Sequence, residues 1–465
     1  MKIEATSLDA YRLMHDGVLA LARAERAGIR CDVDYLQEQQ AYLTKKIDRG
    51  ERKFKNTKLF RHWEHTTHGM VNVHSDKQLA TFLYKTKKIK PPRLTTSGQG
   101  STDEETLKDL GIPELLDLIQ IRKLMKIRDT YLESFRREQV NGYIHPFFNL
   151  HLVRTFRSSA DRPNFQNIPK RDKESMLLTR RALFPRPGHQ LLEIDYSGLE
   201  VKIAACYHED PNMLKYIHDP TTDMHADMAS QIFKIDHFDK NSPEHSYLRA
   251  AAKNGFVFPE FYGDYFGNCA QALACRWGGL PHDKWTYDKG VIVEDKRTLA
   301  KHLIGKGIHN FGMFQNHIQD IEADFWNNRF PDYAKWKERW WAEYQRTGSI
   351  KMKTGFECSG VMGRNDCINY PVQGAAFHCL LWSFIQLDRI SQEQKWRSRL
   401  IGQIHDAIVF DVHPDELQTV LRIAQRVTCE DLPKAWKWIN VPLEVDAEIC
   451  DVDASWADKK KMAMP

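Results

Sequence analysis

The sequence predicts an α+β fold, with long charged helices around a small sheet of short strands. Three observations carry that reading. Residues 34 to 65 and 113 to 139 are charged and helical in pattern. Short apolar runs at residues 191 to 195, 400 to 412 and 441 to 449 read as strands. Between the first two runs, residues 211 to 350 are mostly helical in pattern and dense in aromatic side chains.

Leu19 to Arg26 reads as an amphipathic helix that Gly28 stops. The next helix opens after Cys31, with Asp34 as its N-cap. Around Pro91-Pro92 and Ser97-Gly98-Gln99-Gly100 the chain is a polar loop. Thr102 caps the following helix, and Glu105, three residues on, completes a capping box. A long helix runs from Pro113 to Gln139. Asn141-Gly142 is a turn signal, and strands and proline-punctuated loops begin there. The strands near residues 191 and 404 can pair in one sheet, which brings Asp195 and Asp406 together.

A chain of 465 residues, 42% of them hydrophobic, can bury a large core. No apolar run approaches the roughly 18 residues that span a bilayer. Met1-Lys2-Ile3-Glu4-Ala5 lacks the apolar core of a signal peptide. An intracellular, cytoplasmic protein without a membrane partner is expected. Nine cysteines are too sparse for a disulfide scaffold, and neither Cys269 and Cys275 nor Cys358 and Cys367 have close zinc-ligand spacing. The net charge of +5 permits nucleic-acid binding without demanding it. Two basic runs, Lys45-Lys46 through Lys90 and Arg122 to Arg128, leave a solvated helix face and a phosphate-tracking surface both open.

Two hydrophobic runs end in an aspartate, Leu191-Leu192-Glu193-Ile194-Asp195 and Ile404-His405-Asp406. A helix-capping Asp explains the first alone, and a hairpin-turn Asp the second alone. Between them lies Arg249-Ala250-Ala251-Ala252-Lys253, which puts two cations on one helix face. Phe256, Phe258, Phe261, Tyr262, Tyr265 and Phe266 follow, some of them core and one or two able to stack on a base. Two carboxylates can hold a pair of Mg²⁺ ions, and a cationic helix face can grip a triphosphate. Together they are the parts of nucleotidyl transfer.

From about residue 19 to 456 the ordered motifs resemble the polymerase region of family A DNA polymerases, the group of bacterial DNA polymerase I. Asp195-Tyr196-Ser197-x-x-Glu200 and His405-Asp406 resemble its two palm motifs. Arg249 and Lys253 resemble its fingers helix, and Asp223-Met224-His225 a shorter motif whose histidine reaches the phosphates. Thr155 to Ser159 and Pro163 to Pro169 resemble its primer and template grip, and Asn369 to Gly374 another DNA-facing motif. Val73 to Leu79 and Ser101 to Asp103 resemble its thumb.

The resemblance implies a right-hand polymerase fold, with an antiparallel-sheet palm and mainly helical fingers and thumb. It divides the chain into an N-terminal segment and thumb at 1–145, palm at 146–215, fingers at 216–365 and palm again at 366–465. Asp195, the Tyr196 carbonyl and Asp406 would bind two Mg²⁺, with Mn²⁺ as the alternative ion. Lys253 would act in catalysis. Glu200, His225, Arg249, Lys253, Phe258 and Tyr262 would hold the dNTP, with Glu200 rejecting a ribose 2′-hydroxyl. Arg157, Asn164, Asn167, Gln373, Gln403 and His405 would contact primer-template DNA. The motif variants look phage-like.

The departures are specific. Gly198 replaces the family's usual glutamine, Phe156 its glycine, and Ala407 the acidic residue after the second aspartate. One extra residue and Pro259 lie between Lys253 and Tyr262, which predicts a kink or bulge. That leaves Phe256 or Phe258 as the base-stacking ring, with Phe258 favoured by its spacing from Tyr262. Arg364 is one place off the expected template-contacting arginine. Only about twenty residues precede the thumb-like segment, so no 3′–5′ exonuclease domain is expected. A separate exonuclease, a clamp or other replisome proteins are the partners such a chain would use. Two rival readings are a catalytically weak DNA-binding module of the same fold and an enzyme that makes RNA on a DNA template. The retained aspartates and cations oppose the first, and Glu200 beside Tyr262 opposes the second.

Overall fold

The computed structural model describes residues 5–95, 97–170, 172–239, 241–294 and 296–465. A five-stranded antiparallel sheet forms its floor. The strand order is Arg399–Ile404, Ala407–Val412, Gln190–Tyr196, Val445–Ile449, Lys460–Met462. The apolar run before Asp195 is the central strand, with Leu191, Leu192 and Ile194 all buried. Every residue of Ala407–Val412 is buried, so that strand is covered on both faces. Helix Arg364–Glu393 packs on it, and Tyr196 shares a 2.8 Å hydroxyl hydrogen bond with Ser383 of that helix. Strand alternation turns Glu193 to the opposite face. There Lys459 lies 2.6 Å away, Arg180 3.4 Å and the Trp456 Nε1–H 3.3 Å. Burial alone would push the Glu193 carboxyl up, but Lys459 and Arg180 hold it below the usual range.

The first helix begins at Ser7, well before Leu19, because Thr6 and Asp9 form a capping box there. It ends at Gly28, whose φ of +64° favours glycine, and where a Cβ would come within 2.7 Å of the His145 ring. This helix lies on strand Arg399–Ile404 and helix Arg364–Glu393, and Arg23 grips Asp388 of the latter through two nitrogens.

Several expected starts move. Asp32, not Asp34, caps helix Val33–Lys55, because its carboxylate accepts from the Tyr35 N–H at 2.9 Å. The charged stretch to residue 65 is two helices, since Thr57 caps a second one at Lys58–Thr66. Thr102 caps nothing: its hydroxyl donates to Asp76, and Asp103 caps Glu104–Asp109 instead. The helix from Pro113 ends at Glu138 and passes through a wide turn at Lys126–Leu132. The basic run at 122–128 is largely neutralised: Arg122 pairs with Asp76, Lys123 with Asp172 and Glu174, and Arg128 with Asp129. Lys85, Lys87, Lys88 and Lys90 remain exposed.

Residues 211–347 form a second, mainly helical block around a core of aromatics packed edge-to-face that includes Phe256, Phe261, Phe325 and Phe330. Among the described residues no helix is long and apolar enough to cross a membrane.

Two buried histidines make the fold acid-sensitive. His378 is fully enclosed, stacked on Phe356 at 4.0 Å and bonded to the Thr354 hydroxyl at 2.7 Å. His208 stacks on Tyr333 at 4.0 Å. Burial drops each ring to about 3. The unfolded chain binds these protons near pH 6.5, so stability is full above that value and is lost as pH falls toward 3. The expected slope is about 1.4 kcal/mol per pH unit for each ring. Urea unfolding from pH 7 to 4.5 should show it, and His378→Gln should flatten it by one proton. An unchanged slope in that variant would contradict the assignment.

Candidate active site

The sheet register assembles the site. Ala407 stands opposite Asp195 on one neighbouring strand, and Asp446 on the other. Asp406 is therefore not a strand residue. It occupies the two-residue turn between Ile404 and Ala407, beside Asp195, and the Tyr196 N–H pins its carbonyl at 3.1 Å. His405, with φ +53°, is the other turn residue.

The carboxylates are crowded. Burial first, then Glu200 and Asp195, push the Asp406 carboxyl up to about 6. Lys170 Nζ lies 2.8 Å from Asp195 Oδ2 and 3.6 Å from Glu193. Nothing in the sequence singles out Lys170 beyond its place after Pro169. Among the described residues no three His, Cys, Asp or Glu side chains close on a single metal position. An ion such as Mg²⁺ binds through one or two carboxylates and keeps water and phosphate ligands. The concentrated negative charge, answered by a lysine in direct contact with Asp195, fits a divalent cation there.

Helix Pro243–Ala252, capped by Ser242, carries Arg249, and Lys253 follows at its end. Asp223, which caps helix Met224–Phe233, holds Arg249 Nε at 2.8 Å. His225 stands edge-on to Phe258 at 5.7 Å. Burial, with Lys253 and Arg249 nearby, drops its ring to about 4, so it is neutral at pH 7. Its Nδ1 is buried with no hydrogen-bond partner among the described residues.

The expected irregularity after Lys253 is a wide π-turn over Lys253–Val257, followed by a short helical stretch, Phe258–Phe261. Such a turn absorbs one extra residue inside a helix. Phe256 is fully buried against Phe325, whereas Phe258 is half-buried beneath the Lys253 ammonium at 5.1 Å. Phe258, Tyr262, Glu200, Asn369 and Gln373 line one small cavity. Tyr262 donates to Glu200, whose other oxygen takes Arg157 Nη1 at 3.0 Å. Burial and then Glu200 push the Tyr262 hydroxyl up.

Arg157, Gln373, Gln403 and His405 line a second cavity of about 650 Å³ above the sheet. Gln403 is buried and donates to Ser158, and its Oε1 has no hydrogen-bond partner among the described residues. Asn164 and Asn167 are exposed at the ends of the short turn Phe165–Asn167 and do not line that cavity. Arg364 is engaged by Glu338.

An antiparallel floor bearing two adjacent aspartates, with a cationic helix beyond it, defines a right-hand polymerase fold. A family model described as DNA polymerase family A matches residues 33–458, and the chain belongs to that family. It is 27% identical over 470 residues to DNA polymerase I of Chloroflexus aurantiacus, covering 98% of this chain and 44% of that protein. It is 27% identical over 389 residues to DNA polymerase I of Aquifex aeolicus, covering 82% of this chain and 58% of that one. The chain thus spans about half the length of these curated relatives. Among solved structures it is similar to the POL domain of Pol1 from M. smegmatis in complex with DNA primer-template and dNTP. The TM-score is 0.72 at 22% identity, over 95% of this chain and 70% of that one, a likeness of fold.

Proposed function

We propose that the chain is a template-directed DNA polymerase that adds a deoxynucleoside monophosphate to a primer 3′-hydroxyl. The observation that carries this is the register placing the Asp406 turn beside Asp195, with Glu200, Tyr262 and Phe258 linking them to Lys253. Asp195, the Tyr196 carbonyl and Asp406 would hold two Mg²⁺ ions, which supply activation of the attacking hydroxyl and charge neutralisation on the leaving pyrophosphate. Arg249 and Lys253 grip the triphosphate, and neutral His225 donates one N–H to it. Phe258 offers a face to the incoming base. Glu200, locked between Tyr262 and Arg157, fills the space a ribose 2′-hydroxyl would need. Arg157, Gln373, Gln403 and His405 meet the primer-template duplex, and Asn164 and Asn167 its backbone.

The test is extension of a labelled primer with Mg²⁺ and either dNTPs or NTPs. Wild type should extend with dNTPs, and Glu200→Ala should narrow the preference over NTPs by about 10²-fold, the usual worth of one steric or polar discriminator. No extension, despite tight DNA binding, would favour a non-catalytic DNA-binding module. Equal use of both nucleotides by wild type would refute the role of Glu200.

A further inference from the structure

The two helical arms of the molecule meet at their tips. In the N-terminal arm, Glu105 sits in helix Glu104–Asp109, and Arg93 from the preceding loop holds both Glu105 at 2.6 Å and Asp109 at 3.0 Å. In the second arm, helix Phe266–Gln271 runs into a wide turn, Ala272–Trp277, that carries Arg276. Arg276 Nη2 lies 2.8 Å from Glu105 Oε2. One carboxylate thus joins arginines from two arms that are far apart in sequence. Building on the polymerase reading above, we propose that this contact is a strap that closes the cleft over bound duplex DNA and turns the polymerase into a ring around it.

Three features support a strap over a direct DNA contact. The tip carboxylate that meets the other arm, Glu105, repels phosphate and is matched to the protein's own Arg276, while Asp109 is held by Arg93. The cations available to a duplex, Lys85, Lys87, Lys88 and Lys90, lie exposed just before that tip in the same arm. The strap is also tied to the nucleotide-facing helix, because Tyr247 of that helix donates its hydroxyl to the Trp277 carbonyl at 2.9 Å. Movement of Arg249 and Lys253 on a nucleotide would therefore be felt at Arg276.

The contact is built to open. The Arg276 and Glu105 side chains are 40% and 51% exposed, and a cavity of about 680 Å³ lies between the tips, lined by Pro91, Lys108, Gln271 and Pro281 among others. An ion pair this exposed is weak and screened by salt. It can admit DNA and still slow its escape once closed.

The experiment has two arms. In the first, Arg276→Glu, Glu105→Arg and the double reversal are compared on a primed single-stranded circle with excess trap DNA. Each single reversal should shorten the run per binding event on the order of fivefold, with single-nucleotide incorporation unchanged, and the double reversal should restore it. Equal run lengths in all four proteins overturn the proposal. In the second, Glu105→Cys and Arg276→Cys are joined by a short bis-maleimide, in a Cys275→Ser background, on a nicked circular duplex. The cross-linked protein should resist high salt on the circle and slide off once the DNA is cut. Loss from the intact circle overturns the strap whether or not the enzyme extends primers. Retention without any primer extension would instead sink the polymerase reading and leave the ring standing.

Discussion

Asp406→Asn should cut primer extension roughly 10³-fold and at the same time stabilise the protein. The carboxyl is pushed up to about 6 by burial, Glu200 and Asp195, so its charge is held against the fold's preference. Asparagine removes that charge and keeps the side-chain shape. The turn should persist, because its anchor is the Tyr196 N–H to the Asp406 carbonyl, a main-chain bond. We expect a gain on the order of 1 to 2 kcal/mol in metal-free urea unfolding at pH 7. The rate of nucleotide addition should fall roughly 10³-fold, the scale of one lost electrostatic contribution in a metal-assisted transfer. Primer-template affinity should change by less than about twofold, since the contact surface is untouched. A variant that is inactive and also less stable would mean that the turn had collapsed, and that Asp406 is a structural residue.

Lys253→Ala should cost roughly 10² to 10³ in kcat, with a smaller effect on KM. A compact ammonium near the leaving phosphates matters most as their charge develops, so its loss appears in the transition state rather than in ground-state binding. Arg249 should behave oppositely. Asp223 holds it at 2.8 Å, so it is a fixed grip, and Arg249→Ala should raise KM more than it lowers kcat. Pre-steady-state incorporation of one dNTP resolves the two. If Lys253→Ala changes KM alone, the lysine is a binding residue and the assignment to chemistry fails.

Much of the site could be read from the sequence because its chemistry is local. An apolar run ending in Asp, or two cations four residues apart, is visible in any window that contains it. The irregular turn after Lys253 was also legible, since an extra residue and Pro259 cannot fit an unbroken α-helix. What escaped depended on distant chain. Asp34 is a good cap by residue type, but where a cap falls is set by where the preceding strand ends. The choice falls to Asp32 because strand Ile29–Cys31 is held by Tyr143–Ile144 and Leu183–Phe184, and extended pairing ends there. Thr102 lost its cap to Asp103 because Asp76, from another helix, accepts its hydroxyl. The basic run at residues 122–128 looked available for phosphate until Asp76, Asp172 and Glu174 folded onto it. Lys170 had no local signature at all, because the carboxylates it meets become neighbours only when the sheet forms.

The charged groups of the cleft are already committed to one another: Arg157 to Glu200, Arg249 to Asp223, Lys170 to Asp195. A nucleotide or ion arriving there does not find bare charges. On the proposed function it would displace one partner and take its place, so the number of ion pairs would change little as the site fills. Such swapping should be close to thermoneutral and easily reversed. On the polymerase reading proposed above, that would suit a cleft that must load, discharge and reload at every step along a template, where tight retention of any one occupant would stall the next.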